Sequence, residues 1–288
     1  MLRTCYIRGL RLRVYERRAG PVGVLLIHGN SSCKEVFSAQ AKALARSGLS
    51  VVIPDLPGHG GSDDSLSPWT TYSFPGYADS LRTLMNTLGY RSFHIVGWSL
   101  GGHIGIEMWA RYPAVRSLIV CGTPPIRLDA EGVGEGFNWT STTALAGRKR
   151  FGSEETRRYV SAMMGRPLPL HHHLSRMATR TDGNARLWMV KNGLAGRGVD
   201  EAAAVSEIDR PIAVIQGSSD PFIRPDYLRR LRFANIWTGA PIFIDAGHAA
   251  HWEVPSAFNS LMMKFLKHAS AADRCRWGHH GRDGRGIH

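Results

Sequence analysis

The sequence predicts an α/β fold with a mostly parallel central sheet, helices on both faces and an inserted helical cap. Three observations predict it. Apolar runs of the kind found in strands buried on both faces alternate with amphipathic stretches of helical period. The alternation fails between about residues 123 and 207, where short helical segments and glycine-rich loops replace it. Gly97-Trp98-Ser99-Leu100-Gly101 sits directly between a predicted strand and a predicted helix. The expected organisation is a core of residues 1–122 and 208–268, a cap of 123–207, and a basic tail of 269–288 without order. A chain of 288 residues is long enough for one large domain with such an insertion.

In order along the chain, Leu10 to Val14 alternates apolar and basic, as a half-exposed strand does. Val22 to Ile27 is nearly all apolar and ends in His28-Gly29-Asn30. Lys34 to Ser47 has helical spacing, and Gly48 stops it. Leu49 to Ile53 is a strand, and Pro54 to Gly61 a turn-rich loop. Tyr77, Leu81, Leu84, Met85 and Leu88 form one helix face, closed by Gly89. Ser92 to Val96 is a strand, Gly97 to Gly102 a tight turn, and Ile104 to Tyr112 a helix stopped by Pro113. Ser117 to Cys121, Ile212 to Ile215 and Pro241 to Ile244 complete the strands, and Pro255 to Lys267 is the closing helix.

Composition narrows the class. Hydrophobic residues make up 43% and charged residues 20%, which excludes wholesale disorder. No apolar run approaches the ~20 residues of a membrane helix, so no membrane insertion is expected. Six arginines lie in the first 18 residues, without an apolar stretch of signal-peptide length. The four cysteines, Cys5, Cys33, Cys121 and Cys275, are far apart and unpaired in pattern, as in a cytoplasmic protein with reduced thiols. The net charge of +13 concentrates at the two ends, with no nucleic-acid-binding motif between them. No nucleic-acid partner is expected.

The chemistry concentrates at strand ends. In a Gly-x-Ser-x-Gly turn between strand and helix, the glycines let the backbone pass close to its neighbours and the serine hydroxyl projects above the sheet. The following helix N-terminus favours negative charge there. Ser99 is the expected nucleophile, and a hydroxyl needs a base to take its proton. Asp220 follows the strand Ile212–Ile215, and His248 follows Pro241–Ile244, so acid and base come to the same sheet edge. Asp220 would hold the imidazole in its useful tautomer. Asp245 is the rival acid but lies on the loop of His248 itself. His251 is the rival base and reads as the lead into the last helix. The backbone N–H groups of Asn30 and Leu100 are the expected oxyanion hole. His59 reads as a loop-fixing residue. His248-x-x-His251 and the run His171-His172-His173 lack a convincing third ligand, so no metal and no cofactor are expected, and the run reads as solvated.

These motifs mark the α/β-hydrolase fold, and the similarity goes further. His28-Gly-Asn-Ser-Ser32, Asp55-Leu-Pro-Gly-His-Gly60, Tyr77-Ala-Asp79, the block Gly97 to Met108, Ala110-Arg-Tyr-Pro113 and Gly122-Thr-Pro-Pro125 carry it in the core. Gly136-Phe137, Ala144-Leu-Ala-Gly147 and Arg180-Thr-Asp-Gly183 carry it in the cap. From about residue 22 to residue 268 the chain resembles the α/β-hydrolase type of N-acyl-homoserine lactonase, a metal-independent quorum-quenching enzyme. The resemblance implies Ser99, Asp220 and His248 as a triad, Asn30 and Leu100 as the oxyanion hole, and Tyr159 as a cap residue touching the lactone. One departure is the acid, a glutamate before the same proline in that family.

A homoserine lactone is a strained cyclic ester that Ser99 would open to an acyl-enzyme. Its acyl chain needs an apolar channel, for which Phe137, Trp139, Leu145, Met163, Met164, Trp188 and Met189 are the cap candidates. The expected partner is thus a small acyl lactone or ester. The competing readings are a carboxylesterase or carbon–carbon-bond hydrolase on the same triad, and a receptor-like binding protein that keeps the fold. An aspartate would stand at position 99 in a dehalogenase or epoxide hydrolase.

Overall fold

A computed structural model describes residues 1–165 and 171–278. Eight strands form one sheet: β1 (Leu2–Ile7), β2 (Leu10–Arg17), β3 (Val22–Ile27), β4 (Ser50–Pro54), β5 (Ser92–Trp98), β6 (Val115–Cys121), β7 (Ile212–Gly217) and β8 (Ile242–Ile244). Their spatial order is β1-β2-β4-β3-β5-β6-β7-β8. From β4 to β8 every neighbouring pair is parallel, and β1 and β2 run antiparallel at one edge. The central strands β3 to β7 are buried almost throughout, which is why they read as unbroken apolar runs.

The helices of the first half are α1 (Ser38–Arg46), α2 (Pro68–Thr71), α3 (Phe74–Thr87) and α4 (Leu100–Arg111). Between β6 and β7 come α5 (Ala130–Gly136), α6 (Ser153–Met164), α7 (His171–Arg180), α8 (Gly183–Leu194) and α9 (Glu201–Glu207). The chain ends with α10 (Pro225–Arg230), α11 (Ala250–Glu253) and α12 (Pro255–Gly278). On the sheet, α1 packs with α12, and α3 packs with α4. Those two pairs are the layers on either face. Among the described residues no helix is long and apolar enough to cross a membrane.

One buried guanidinium ties the cap together. Arg186 donates to the carbonyls of Arg148, Lys149, Ala178 and Thr181, which belong to two separate cap segments. It is 2% exposed, so these carbonyls replace the water its donors lose.

The start of the chain adds a strand to the sheet: β1 pairs with β2 through a tight turn in which Arg8 and Gly9 both have positive φ, 51° and 79°. Alternation buries Cys5 and Ile7, and Arg3 on the same face pairs with the buried carboxylate of Glu16 at 2.9 Å. Two expected boundaries are corrected. The closing helix runs on to Gly278, so residues 269–278 are helical, and the remainder of the expected tail lies outside the described residues. Finally, α9 packs against α4, so the chain is back on the core before residue 207.

The turn at Ser99 depends on close packing between β3, β5 and α4. A Cβ on Gly101 would lie 2.0 Å from the carbonyl oxygen of Ile27, and one on Gly97 would lie 2.3 Å from the carbonyl oxygen of Gly101. Both obstacles are backbone, so neither can swing aside. Gly101→Ala is therefore expected to destabilise the fold by about 1–3 kcal/mol or more. A urea unfolding midpoint equal to that of the wild type would contradict this packing.

Candidate active site

Four strand ends build the site. β3 leads into His28-Gly29-Asn30, β5 into Ser99, β7 into Asp220 and β8 into His248. Because β3, β5, β6, β7 and β8 are parallel neighbours, their carboxyl ends share one edge of the sheet.

Ser99 is the N-cap of α4, with φ 54° and ψ −120°. A non-glycine residue held at positive φ outside a glycine's ordinary freedom costs of order 1–3 kcal/mol. Several bonds hold it there. Its N–H donates to the carbonyl of Cys121 at 2.9 Å. Its own carbonyl accepts from Gly102 N–H at 2.8 Å and Thr123 Oγ1 at 2.9 Å. Leu100 opens the first turn of the helix, where N–H groups have no intrahelical acceptor. Among the described residues, the N–H groups of Asn30 and Leu100 donate to no other backbone oxygen, and both residues line the cavity with Ser99.

Asp220 and His248 meet at the adjoining ends of β7 and β8. His248 Nδ1 lies 2.8 Å from Asp220 Oδ2, and both side chains are almost fully buried. The carboxylate also accepts from Gln216 Nε2 at 2.7 Å and from the N–H groups of Phe222 at 2.8 Å and Ile223 at 3.4 Å. A buried carboxylate needs its lone pairs filled in this way. With the proton on Nδ1, Nε2 is left as an acceptor, and it has no hydrogen-bond partner among the described residues. The imidazole is fixed on several sides. Trp98 Nε1 donates to the His248 carbonyl at 3.0 Å, and Phe222 meets the ring edge-on with centroids 4.8 Å apart. Gly122, at φ 60°, leaves the space in which the ring sits, since a Cβ there would lie 2.9 Å from Cε1.

The rivals are placed elsewhere. Asp245 is exposed at the end of β8, and among the described residues it is Asp220 that pairs with His248. His251 is buried in α11 against Phe37, Trp98 and Phe258, with both ring nitrogens unpartnered. His59 is buried beside His28, with Nδ1 3.0 Å from the Pro57 carbonyl, and so fixes its loop.

Above Ser99 lies a cavity of about 690 Å³ between core and cap. Phe137, Trp139, Tyr159 and Met163 line it, with Leu145 and Met189. Trp139 is 66% exposed and stands at the rim. Trp188 does not line the cavity. Its helix turns Met189, Val190 and Gly193 inward, and Trp188, about 100° away from Met189 around the helix, lies under the Lys191 ammonium instead. Met164 borders a small neighbouring recess rather than the main cavity. Tyr159 is buried, and its hydroxyl accepts a long bond of 3.4 Å from Asn30 Nδ2, which donates mainly to the Ala146 carbonyl at 2.9 Å.

The histidine run is not simply solvated. His173 Nε2 sits 3.8 Å from Cys33 Sγ and 3.9 Å from Glu35 Oε2, bringing three metal-ligating groups together. Burial pushes the Cys33 thiol well up, and Lys34 Nζ already pairs with Glu35 at 2.8 Å. None of the three residues lines the cavity. Sequence reasoning missed Gln216 and the pair His103 and Glu201. Gln216, a polar residue closing an otherwise apolar strand just before the acid, was a readable signal.

The description of an α/β-hydrolase fold matches the chain over residues 23–255. The chain therefore belongs to the α/β-hydrolase fold family. Within that class it is similar to the N-acyl homoserine lactonase AidH. One AidH structure, a mutant in complex with N-hexanoyl homoserine lactone, is 36% identical with a TM-score of 0.89, covering 94% of this chain and 99% of that one. Another, with N-butanoyl homoserine, is 35% identical with a TM-score of 0.88, covering 100% of both chains. A 2-hydroxy-6-oxononadienedioate/2-hydroxy-6-oxononatrienedioate hydrolase of Paraburkholderia phymatum is 26% identical over 90% of this chain and 92% of its own length. One of the same name from Pseudomonas putida is 24% identical over 90% of this chain and 92% of its own length.

Backbone strain at Ser99 separates two variants that both lack the hydroxyl. Ser99→Gly relieves the strain and Ser99→Ala keeps it. After the ~0.5–1 kcal/mol entropic cost of glycine, the glycine variant is expected to melt about 2 °C or more above the alanine variant. A lower melting temperature for Ser99→Gly would contradict the strain.

His28, His59 and His251 are held neutral because burial pushes each below the ordinary histidine range, His251 to about 3 with His248 adding to the effect. The unfolded chain takes up these protons near pH 6.5 and the folded chain does not. Stability is thus full above about pH 6.5 and falls on acidification, by up to ~1.4 kcal/mol per pH unit for each histidine. His251→Phe removes one such proton. Urea midpoints between pH 7 and pH 4 are expected to fall less steeply in that variant, and equal slopes would contradict the assignment.

Proposed function

We propose that this chain is a serine hydrolase that opens the lactone ring of N-acyl-homoserine lactones and so quenches the signals those molecules carry. The observation that carries this reading is the 36% identity to AidH in complex with N-hexanoyl homoserine lactone across 94% of the chain, cap included. Caps set substrate choice in folds whose catalytic machinery is shared. The cavity agrees, because most of its wall is apolar and its volume of about 690 Å³ accommodates an acylated lactone.

The proposed steps use the chain's own groups. His248 Nε2 takes the proton of Ser99 as Oγ attacks the lactone carbonyl. The oxyanion accepts hydrogen bonds from the N–H groups of Asn30 and Leu100. The ring carbon–oxygen bond then breaks, and the departing oxygen receives the proton held by His248. A lactone has no separate leaving group, so the new hydroxyl stays tethered in the acyl-enzyme. Water activated by His248 attacks the ester and releases N-acyl-homoserine and free Ser99. Asp220 stays ionised, holds the Nδ1 proton and stabilises the imidazolium.

The second reading is a carbon–carbon-bond hydrolase, favoured by the names of the relatives at 24–26% identity. Those names describe dicarboxylates. The cationic side chains lining this cavity are Arg148, already ion-paired with Glu155, and Arg158, which is exposed.

The test is turnover of N-hexanoyl homoserine lactone, read as acid release and as ring-opened product, beside a hexanoate aryl ester and a 2-hydroxy-6-oxodienoate. Lactone opening is expected to dominate. Ser99→Ala is expected to abolish it, since removing a triad nucleophile costs on the order of a million-fold in rate. Cleavage of the dienoate with no lactone opening would overturn the reading in favour of the second. Tyr159→Phe is expected to cost about 2- to 10-fold on the lactone, the worth of one neutral hydrogen bond, and nothing on a small aryl acetate. Equal losses on both would mean that Tyr159 supports the cap and does not contact the lactone.

A further inference from the structure

A second carboxylate–imidazole pair lies in the same cavity. His103 stands on α4, one turn beyond Ser99, and lines the cavity. Its Nδ1 lies 2.9 Å from both oxygens of Glu201, which is 1% exposed and also accepts from Ile126 N–H at 3.1 Å. The ring is stacked on Phe74 at an interplanar angle of 4° and lies beside Phe137. Ile126, Leu128 and Val133 make the surrounding wall apolar. Nε2 makes no hydrogen bond among the described residues, and it is absent from the fully enclosed unpartnered atoms. A fixed imidazole in an apolar wall with one nitrogen free is costly unless something meets that nitrogen.

The pairing orients the ring. Glu201 holds a proton on Nδ1, and in the neutral imidazole Nε2 then offers a lone pair to a hydrogen-bond donor. One helix turn, a backbone rise of about 6 Å, separates Ser99 from His103. Five bonds of extended chain span a similar length. In an N-acyl-homoserine lactone the carbon five bonds from the ring carbonyl is C3 of the acyl chain.

We propose that His103 is a specificity-determining residue whose Nε2 accepts a hydrogen bond from a hydroxyl about five bonds from the carbonyl attacked by Ser99. On the reading of the site as a lactonase, that group is a 3-hydroxyl on the acyl chain. A 3-oxo group offers only acceptors and gains nothing there.

The experiment compares kcat/KM for the N-hexanoyl, N-(3-hydroxyhexanoyl) and N-(3-oxohexanoyl) homoserine lactones with the wild type, His103→Asn and His103→Gln. Asparagine places its amide nitrogen where Nδ1 stands, so Glu201 keeps its donor while the cavity loses its acceptor. Glutamine reaches the position of Nε2. The readout is the ratio of hydroxylated to plain substrate, in which general losses cancel. The ratio is expected to fall about 2- to 10-fold in His103→Asn and to fall less in His103→Gln. An unchanged ratio in His103→Asn, or a wild-type preference for the 3-oxo substrate over the 3-hydroxy one, would overturn the proposal. If the wild type opens no lactone, the lactonase reading fails. The same ratio is then read on methyl 6-hydroxyhexanoate and methyl hexanoate, whose hydroxyl carbon is also five bonds from the carbonyl. An unchanged ratio there overturns the assignment of His103 on its own.

Discussion

The contact between the start of α4 and the end of β3 is the constraint on which the site depends. Gly101 and Gly102 let the helix lie against Ile27 and Thr123 with no room for a methyl group. That closeness forces the reversal between β5 and α4 into a single residue, and Ser99 takes the positive φ that results. Two consequences follow from one geometry. The serine side chain is lifted above the sheet edge, and the next N–H, that of Leu100, stands at a helix start where no carbonyl reaches it. A raised hydroxyl and a free backbone donor beside it are thus built together, and neither can move without the other.

The other half of the site answers the same problem with buried charge. Asp220 sits out of water, and four donors fill its oxygens: Gln216, the N–H groups of Phe222 and Ile223, and His248. Removing one partner from such an arrangement leaves an uncompensated charge, so the loop cannot relax at low cost. Gly217 brings the two loops together, since a Cβ there would lie 1.9 Å from the Gly247 carbonyl oxygen. The imidazole is therefore held in one orientation by its surroundings, as the proposed base would need to be.

Legibility in the sequence followed the physics of each part. Strands buried on both faces carry their own signal, and β3 to β7 were readable from apolar runs alone. So were the turn at Ser99 and the two strand ends bearing Asp220 and His248, because glycines mark close backbone approach. β1 was not readable, because Arg3 shares the face of Cys5 and Ile7 while Leu2 and Tyr6 are exposed, which breaks the polar–apolar alternation. Trp188 was misplaced because aromatic composition in the cap does not tell which side of a helix faces inward. The rotation of α8, anchored at its start by Asp182 and Arg186, decides that. His173 could not be placed against Cys33 because the contact spans 140 positions of sequence. His103 and Glu201 meet for the same kind of reason, across 98 positions.

The relatives carry two kinds of name. The relatives at 24–26% identity and the AidH structures at 35–36% both match nine-tenths or more of the chain, so identity and not coverage separates them. In the cap the cavity wall is apolar, Arg148 is paired with Glu155 and Arg158 is exposed, which is the ground on which lactone opening is proposed over cleavage of a dicarboxylate. The central claim is that Ser99 Oγ attacks the lactone carbonyl and forms a covalent bond. Rapid acid quench of a single turnover with N-hexanoyl homoserine lactone, followed by peptide mass analysis, tests it most directly. A transient adduct on the Ser99 peptide with the mass of the whole lactone is predicted, because the opened ring stays attached through its carbonyl. Full ring opening with the Ser99 peptide unmodified throughout the turnover would contradict it.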